Sequence, residues 1–552
     1  MASLQPVTGP LGQRRAAHLL RRITFRYTRE RVDQLALMDA ASALSALLAL
    51  QPQQQDQPYY DDPATSGMEK TPWILPPGLP LPPNTQDFQL RRPLFAWWMH
   101  EALMDPGAGH KMQFFLHQFN AVAANTRSTA LFFDHLALLR WGALGNFKRF
   151  ITKMILDNVM LAYLNNNENT VGNPNQNFAR EFFELFTIGK GPQTGPGNYT
   201  NYTEDDVVAA ARVFTGLRLQ GTRATLDAET GIPRGTINTT LHDKGEKIFS
   251  TAFQGKVIAG GSTQAGIMAE IQELVDMVFA QPETARHTVR RLYRYVVHRN
   301  IPDAVEADII RPLADQFMSS GYELKPVLST LLASAHFYDE DDDDPSDDII
   351  GGIIKSPLEL TLQALSFFQV PIPNFNTQPQ DFYNRFWAQA IYDRMLLLSG
   401  LPLFMPTDVA GYPGYYQEPD YSRQWFNSST IISRYKLPAM LLTGRRQMGN
   451  QPNTTIGTRL VIAPWVRNSG VIQQPRDPEA LVRQLLEYLL PEAVDADRFD
   501  YFYHDVFLDH LPPADWVYEW DNYLQTNNAT EVTLALERLI QAILYAPEYQ
   551  TC

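Results

Sequence analysis

The sequence predicts a mainly α protein: a large multi-helix body with a small β excursion near residues 217–262 and long irregular loops. Three observations predict it. Apolar residues recur at helical spacing along most of the chain. One stretch, 217–262, is instead rich in Thr, Gly and Ile. Segments dense in Pro, Gly, Gln or Asp separate the periodic runs. Of the 552 residues, 44% are apolar and 19% charged, a globular balance that excludes wholesale disorder.

Residues 13–50 carry Ala and Leu at helical spacing, and a Pro-rich arm follows at 51–86. Helical patterns resume at 88–104, 111–124, 128–141, 145–163, 177–188 and 204–216. After the β excursion they return at 264–280, 283–299, 303–319 and 323–336. The acidic run 339–348 reads as a surface loop. Beyond it lie helices near 356–369 and 381–399, an aromatic loop at 405–429, and helices near 477–490, 496–508, 514–525 and 530–545. The expected organisation is a main region 1–345 and a C-terminal region 346–552, or one continuous domain.

Composition narrows the function. The chain has 46 Lys and Arg against 60 Asp and Glu, a net charge of −14, which disfavours nonspecific nucleic-acid binding. The only cysteine is Cys552, so neither an internal disulfide nor a Cys/His zinc array is expected. No apolar run is long enough to span a membrane. The N-terminus lacks an apolar stretch followed by a cleavage site. The chain is therefore expected in the cytoplasm, with co-export on a partner to the periplasm or cell surface as the alternative.

Several segments have the composition of functional sites. In Asn177-Phe178-Ala179-Arg180-Glu181-Phe182-Phe183-Glu184-Leu185-Phe186, the residues Phe178, Phe182, Leu185 and Phe186 form one apolar face. Asn177 is the expected N-cap and Gly189 the stop. Glu181 and Glu184 sit one turn apart, with Arg180 and Glu184 at i,i+4. Two such carboxylates suit acid/base work or hard metal ligation; a solvated face with an ion pair has the same spacing. The preceding loop is dense in Asn from Asn165 to Asn177, so a divalent metal such as calcium, or a self-satisfying turn, fits it.

Thr203 and Asp206 match a capping box, and Arg212 is placed to pair with an acid of that first turn. In His242-Asp243 the neighbouring acid is placed to orient the imidazole. His117 lies in an aromatic helix. Tyr412, Tyr415, Tyr416, Trp425 and Asn427 mix rings with amides. That mixture suits a carbohydrate contact, a protein interface or a loop packed on its own body. No G-x-S-x-G, Walker A or G-x-G-x-x-G signature occurs.

The ordered segments resemble one family. They are His18-Leu19-Leu20-Arg21-Arg22-Ile23-Thr24-Phe25, Leu144-Gly145-Asn146-Phe147, Asn177 through Gly189, Tyr202 through Val207, Ala211-Arg212 with Thr215-Gly216, His242-Asp243, the Pro406–Trp425 loop and Arg434. Together they resemble the bacterial domain-of-unknown-function 1800 family, in a Bacteroidetes-type branch. The resemblance implies no established activity. It implies neighbours of the sulfatase-like domain-of-unknown-function 1501 family, and frequent export.

The chain departs from that family's usual motifs. Phe115-Leu116-His117-Gln118-Phe119-Asn120 keeps one histidine of a usual pair. Asn175-Gln176-Asn177-Phe178 has Gln where the family usually has Glu. Arg26 replaces a glycine, and Gly411-Tyr412 replaces Gly-Trp. If the family works through that pair and that Glu, two ligands are lost here. The leading expectation is a non-catalytic accessory or scaffold subunit of a cell-envelope or secreted assembly, bound to a sulfatase-like protein. Its basic N-terminus, acidic loop and aromatic loop would make the contacts.

The alternative is a metal- or carboxylate-dependent hydrolase of polysaccharide or of phosphate or sulfate esters. Glu181 and Glu184 would be its acid/base pair, or metal ligands with His117. Arg180 and Arg212 would hold an anion, and His242-Asp243 would shuttle a proton.

Overall fold

The computed structural model describes residues 2–54, 56–60, 71–72, 74, 87–341, 349–448, 451–455 and 458–552. Helix makes up 57% of the chain and strand 5%, against roughly a third and a fifth or more in an ordinary globular domain. The fold is mainly α, as expected. Much of the Pro-rich arm 51–86, residues 342–348 of the acidic run, and the boundary expected at 345 lie outside the described residues.

The N-terminal helical pattern is three helices, Gly12–Ile23, Arg29–Ala36 and Ala40–Leu47, rather than one. Local chemistry cuts it. Thr24 is extended, the Thr28 side chain accepts from the Arg31 N–H, and Asp39 accepts from the Ser42 N–H at 2.7 Å. Each oxygen caps an N-terminal donor that would otherwise lack a partner.

The Gly12–Ile23 helix is buried from Ala16 to Ile23. Its Arg21 and Arg22 are buried, donating to Tyr488 O at 2.7 Å and Val297 O at 2.9 Å. Of the basic N-terminus, Arg21 and Arg22 thus face inward, while Arg14 stays exposed. Those two guanidiniums tie the helix to later elements of its own chain.

The β excursion holds two antiparallel hairpins. Leu217–Arg218 pairs with Thr236–Ile237, and Lys247–Ile248 with Val257–Ile258. Further two-stranded pairs form at Gln193–Gly195 with Asn198–Tyr199 and at Arg445–Met448 with Gln451–Thr455.

One apolar core runs from Leu11 to Tyr549 and takes residues from both expected regions. Polar links add to it, the first of them between the two regions. Lys111 and Glu359 form a buried ion pair. The Lys355 N–H donates to Gln550 O at 2.8 Å, and the Cys552 N–H to Ile353 O at 2.9 Å. No described helix is long and apolar enough to cross a membrane.

Candidate functional site

The segment around Glu181 starts as the helix Asn177–Glu181 and continues as a π-helical turn, Phe182–Phe186. Asn177 is the first helical residue rather than the cap, and its N–H donates to Asn175 Oδ1 at 2.9 Å. The wider i→i+5 winding rotates the face. Phe183 turns into the core, stacked on Tyr202, while Leu185 is only partly buried. Phe178 and Phe182 pack edge-on against Phe214 at 5.0 and 5.3 Å, which joins this segment to the Glu204–Val213 helix.

Charged side chains along the segment pair separately. Arg180 binds Glu204 at 2.7 Å rather than Glu184. Glu184 pairs with Lys190. Glu181 is 9% exposed and, among the described residues, has no hydrogen-bond or ion-pair partner. Burial, then the neighbouring Glu184 charge, pushes its carboxyl up to about 7. Asp408 also acts on it, and burial with the charges of Asp408 and Glu181 raises the nearby Tyr163 hydroxyl.

The Thr203–Asp206 capping box forms as expected. Arg212 does not pair with an acid of that turn. It grips Asp243 with two bonds, 2.7 and 3.3 Å. Asp243 does not orient His242. The imidazole lies between Thr215 O, 2.8 Å from Nδ1, and Glu270 Oε2, 2.9 Å from Nε2. Glu270 also pairs with Lys247 and accepts from the Gly261 N–H at 2.8 Å. His242, Lys247 and Glu270 are shut off from solvent. The group fastens the β excursion to the Gln264–Phe279 helix.

His117 is fully buried, with both ring nitrogens unpartnered among the described residues. Phe114, Phe132, Phe404, Tyr412 and His135 surround it. Burial, then His135, holds it well below the usual imidazole range. No group of three His, Cys, Asp or Glu that could hold a metal ion forms among the described residues. His117, Glu181 and Glu184 therefore do not form such a group. The Asn loop binds itself: Asn169 donates to Asn166 Oδ1 and Ala211 O at 3.0 and 2.8 Å, and its own Oδ1 accepts from the Asn175 N–H at 2.9 Å.

The aromatic loop packs on the body. Tyr412 is 0% and Trp425 2% exposed. Tyr415 lies against Phe114, Tyr295 and Trp425. Tyr416 is half-buried, and Asn427 is exposed but occupied in a turn, accepting from the Ser429 N–H at 2.9 Å. A flat carbohydrate platform does not form from these rings.

Sequence reasoning missed a cleft beside this loop. Its inner recess, of about 30 Å³, is lined by Gln118, Arg291, Arg294, Arg299, Tyr415 and Trp425, among others. The adjoining outer cleft, of about 500 Å³, shares Arg294, Arg299 and Tyr421 and adds His298, His336 and Glu418. The available signal was the run from Arg286 to Arg294, whose helix Pro282–Val296 has Glu283 as its one acid.

The molecule is thus a mainly helical body, joined by internal ion pairs, with an arginine-lined cleft beside its aromatic loop. The chain belongs to the family described as a protein of unknown function, DUF1800, which matches residues 18–551. No curated protein and no solved structure matches it.

Proposed function

We propose that the chain is a non-catalytic accessory or scaffold subunit of a cell-envelope or secreted assembly, bound to a protein partner. The observation that carries this reading is the pairing of the side chains a hydrolase would need. Arg180 is held by Glu204, Glu184 by Lys190, Arg212 by Asp243, and His242 by Glu270. Side chains fixed in pairs position elements and are not left available for a substrate. The two departures at Phe119 and Gln176 support the same reading.

The partner that the family resemblance favours is a sulfatase-like protein of the domain-of-unknown-function 1501 family. Gentle affinity purification from the native cell, with identification of the co-purifying chains, tests this. Recovery of a stoichiometric envelope or sulfatase-like chain is expected. Recovery of the chain alone counts against it.

A second reading, a hydrolase, has one observation in its favour. Glu181 is buried, unpaired among the described residues and held near neutrality, as a general acid is. Hydrolysis of a phosphate or sulfate ester, or of a polysaccharide's glycosidic bond, by the purified chain, abolished by Glu181→Gln, would establish it.

A further inference from the structure

The Pro282–Val296 helix sorts its arginines by face. Arg290 is paired with Glu283 and, at 2.7 Å, with Glu306; Arg286 is 3.6 Å from Glu283. Arg291 and Arg294, three residues apart and so on one face, line the cleft instead. Arg291 has only carbonyl acceptors, Leu185 O at 2.9 Å and Gln118 O at 2.6 Å, and lies over the Phe119 ring at 3.6 Å. Arg294 lies over the Tyr421 ring at 5.0 Å, donates to Arg299 O at 3.3 Å, and is 3.8 Å from Glu418. Arg299 donates to Gly352 O at 3.0 Å and feels the further positive charge of Arg423.

Three guanidiniums therefore line the cleft. Its lining carboxylates are Glu418 and Glu359, and Lys111 neutralises Glu359. Glu418 is 72% exposed and accepts from the Tyr421 hydroxyl at 2.6 Å. Of the lining histidines, His298 is held down to about 4 by burial and Arg299, and the Nδ1 of His336 lies 2.8 Å from Asp341. Burial, then the Arg294 charge, lowers the Arg291 guanidinium to about 9, so the charged form is under strain that a bound anion would relieve. In a chain of net charge −14 this is a local positive recess whose walls focus the field.

We propose that this cleft is a binding site for an organic phosphate monoester, its phosphate held by Arg291, Arg294 and Arg299. The planar fork of Arg matches a phosphate with two parallel bonds. The excess of positive groups favours a phosphate monoester, with a charge of about −1.5 to −2, over a singly charged sulfate or carboxylate. The outer cleft is within the size range of small-molecule sites, so it admits the organic part as well as the phosphate.

Calorimetric titration of the full chain with phenyl phosphate, phenyl sulfate and benzoate tests the proposal. Phenyl phosphate should bind about tenfold tighter than the other two, or more. Arg294→Gln should weaken it about tenfold, and Arg286→Gln, outside the cleft, should leave it unchanged. If Arg294→Gln fails to fold, Glu418→Gln at the exposed rim replaces it. Removing that competing carboxylate should tighten binding several-fold. No binding of phenyl phosphate, equal binding of all three, or indifference to these cleft substitutions overturns the assignment.

Discussion

The Nε2 of His242 lies 2.9 Å from Oε2 of Glu270, and neither side chain reaches solvent. Glu270 is distant in sequence from the acid next to the histidine, and it gives His242 a structural role. Lys247 shares the same carboxylate from the opposite oxygen.

Glu270→Gln should therefore act on stability. It leaves the Lys247 ammonium buried without its counter-charge, and breaking one partner of a buried pair costs roughly 3–5 kcal/mol. Urea unfolding should show the loss as a lower midpoint. An unchanged midpoint would mean that the network holds nothing together.

Glu181 predicts a pH dependence. Its folded carboxyl is raised from 4.5 to about 7, so folding favours the protonated form. That contribution is full below 4.5 and is lost as pH rises through about 7. Glu181→Gln carries no charge at any pH. It should match the native chain near pH 4.5 and be more stable at pH 8 by on the order of 2 kcal/mol. Thermal unfolding of both proteins across that range checks it; parallel curves would contradict the burial of a strained carboxylate.

The Lys111–Glu359 pair joins the two halves of the core. Burial works to raise the Glu359 carboxyl, but Lys111 and the Ser356 donors hold it below its usual value. Its stability contribution is thus present above 4.5 and lost as pH falls through the lower folded value. Lys111→Met alone should cost about 3–5 kcal/mol at pH 7, and Lys111→Met with Glu359→Leu should recover most of it. A double variant no better than the single one would locate the cost in packing rather than charge.

Local features were legible in the sequence where one or two neighbouring residues decide them. The Thr203–Asp206 box and the β excursion are of this kind, since capping atoms and turn-rich composition act over a few positions. The stop comes earlier than Gly189: the π-helical turn ends at Phe186 with Thr187 as its cap, and Gly189, at φ +74°, lies two residues beyond. Pairings across the fold were not legible. Arg180 has Glu184 at helical spacing, yet the π-helical turn and the packing of Phe178 on Phe214 bring Glu204 to it. His242 has Asp243 beside it, yet the Gln264–Phe279 helix delivers Glu270. The aromatic loop had a composition suited to surfaces, but Tyr412 and Trp425 fill core space beside Phe114 and Tyr415. The cleft arginines were overlooked because helical spacing cannot tell a paired guanidinium from one that faces a cavity.

The accessory-subunit reading is tested most directly by the mass of the particle that the chain forms when purified gently from its native cell. The chain alone weighs 62.6 kDa. The account predicts a stable particle heavier than that, containing a second, different polypeptide. A particle of 62.6 kDa, free of other chains, would contradict it.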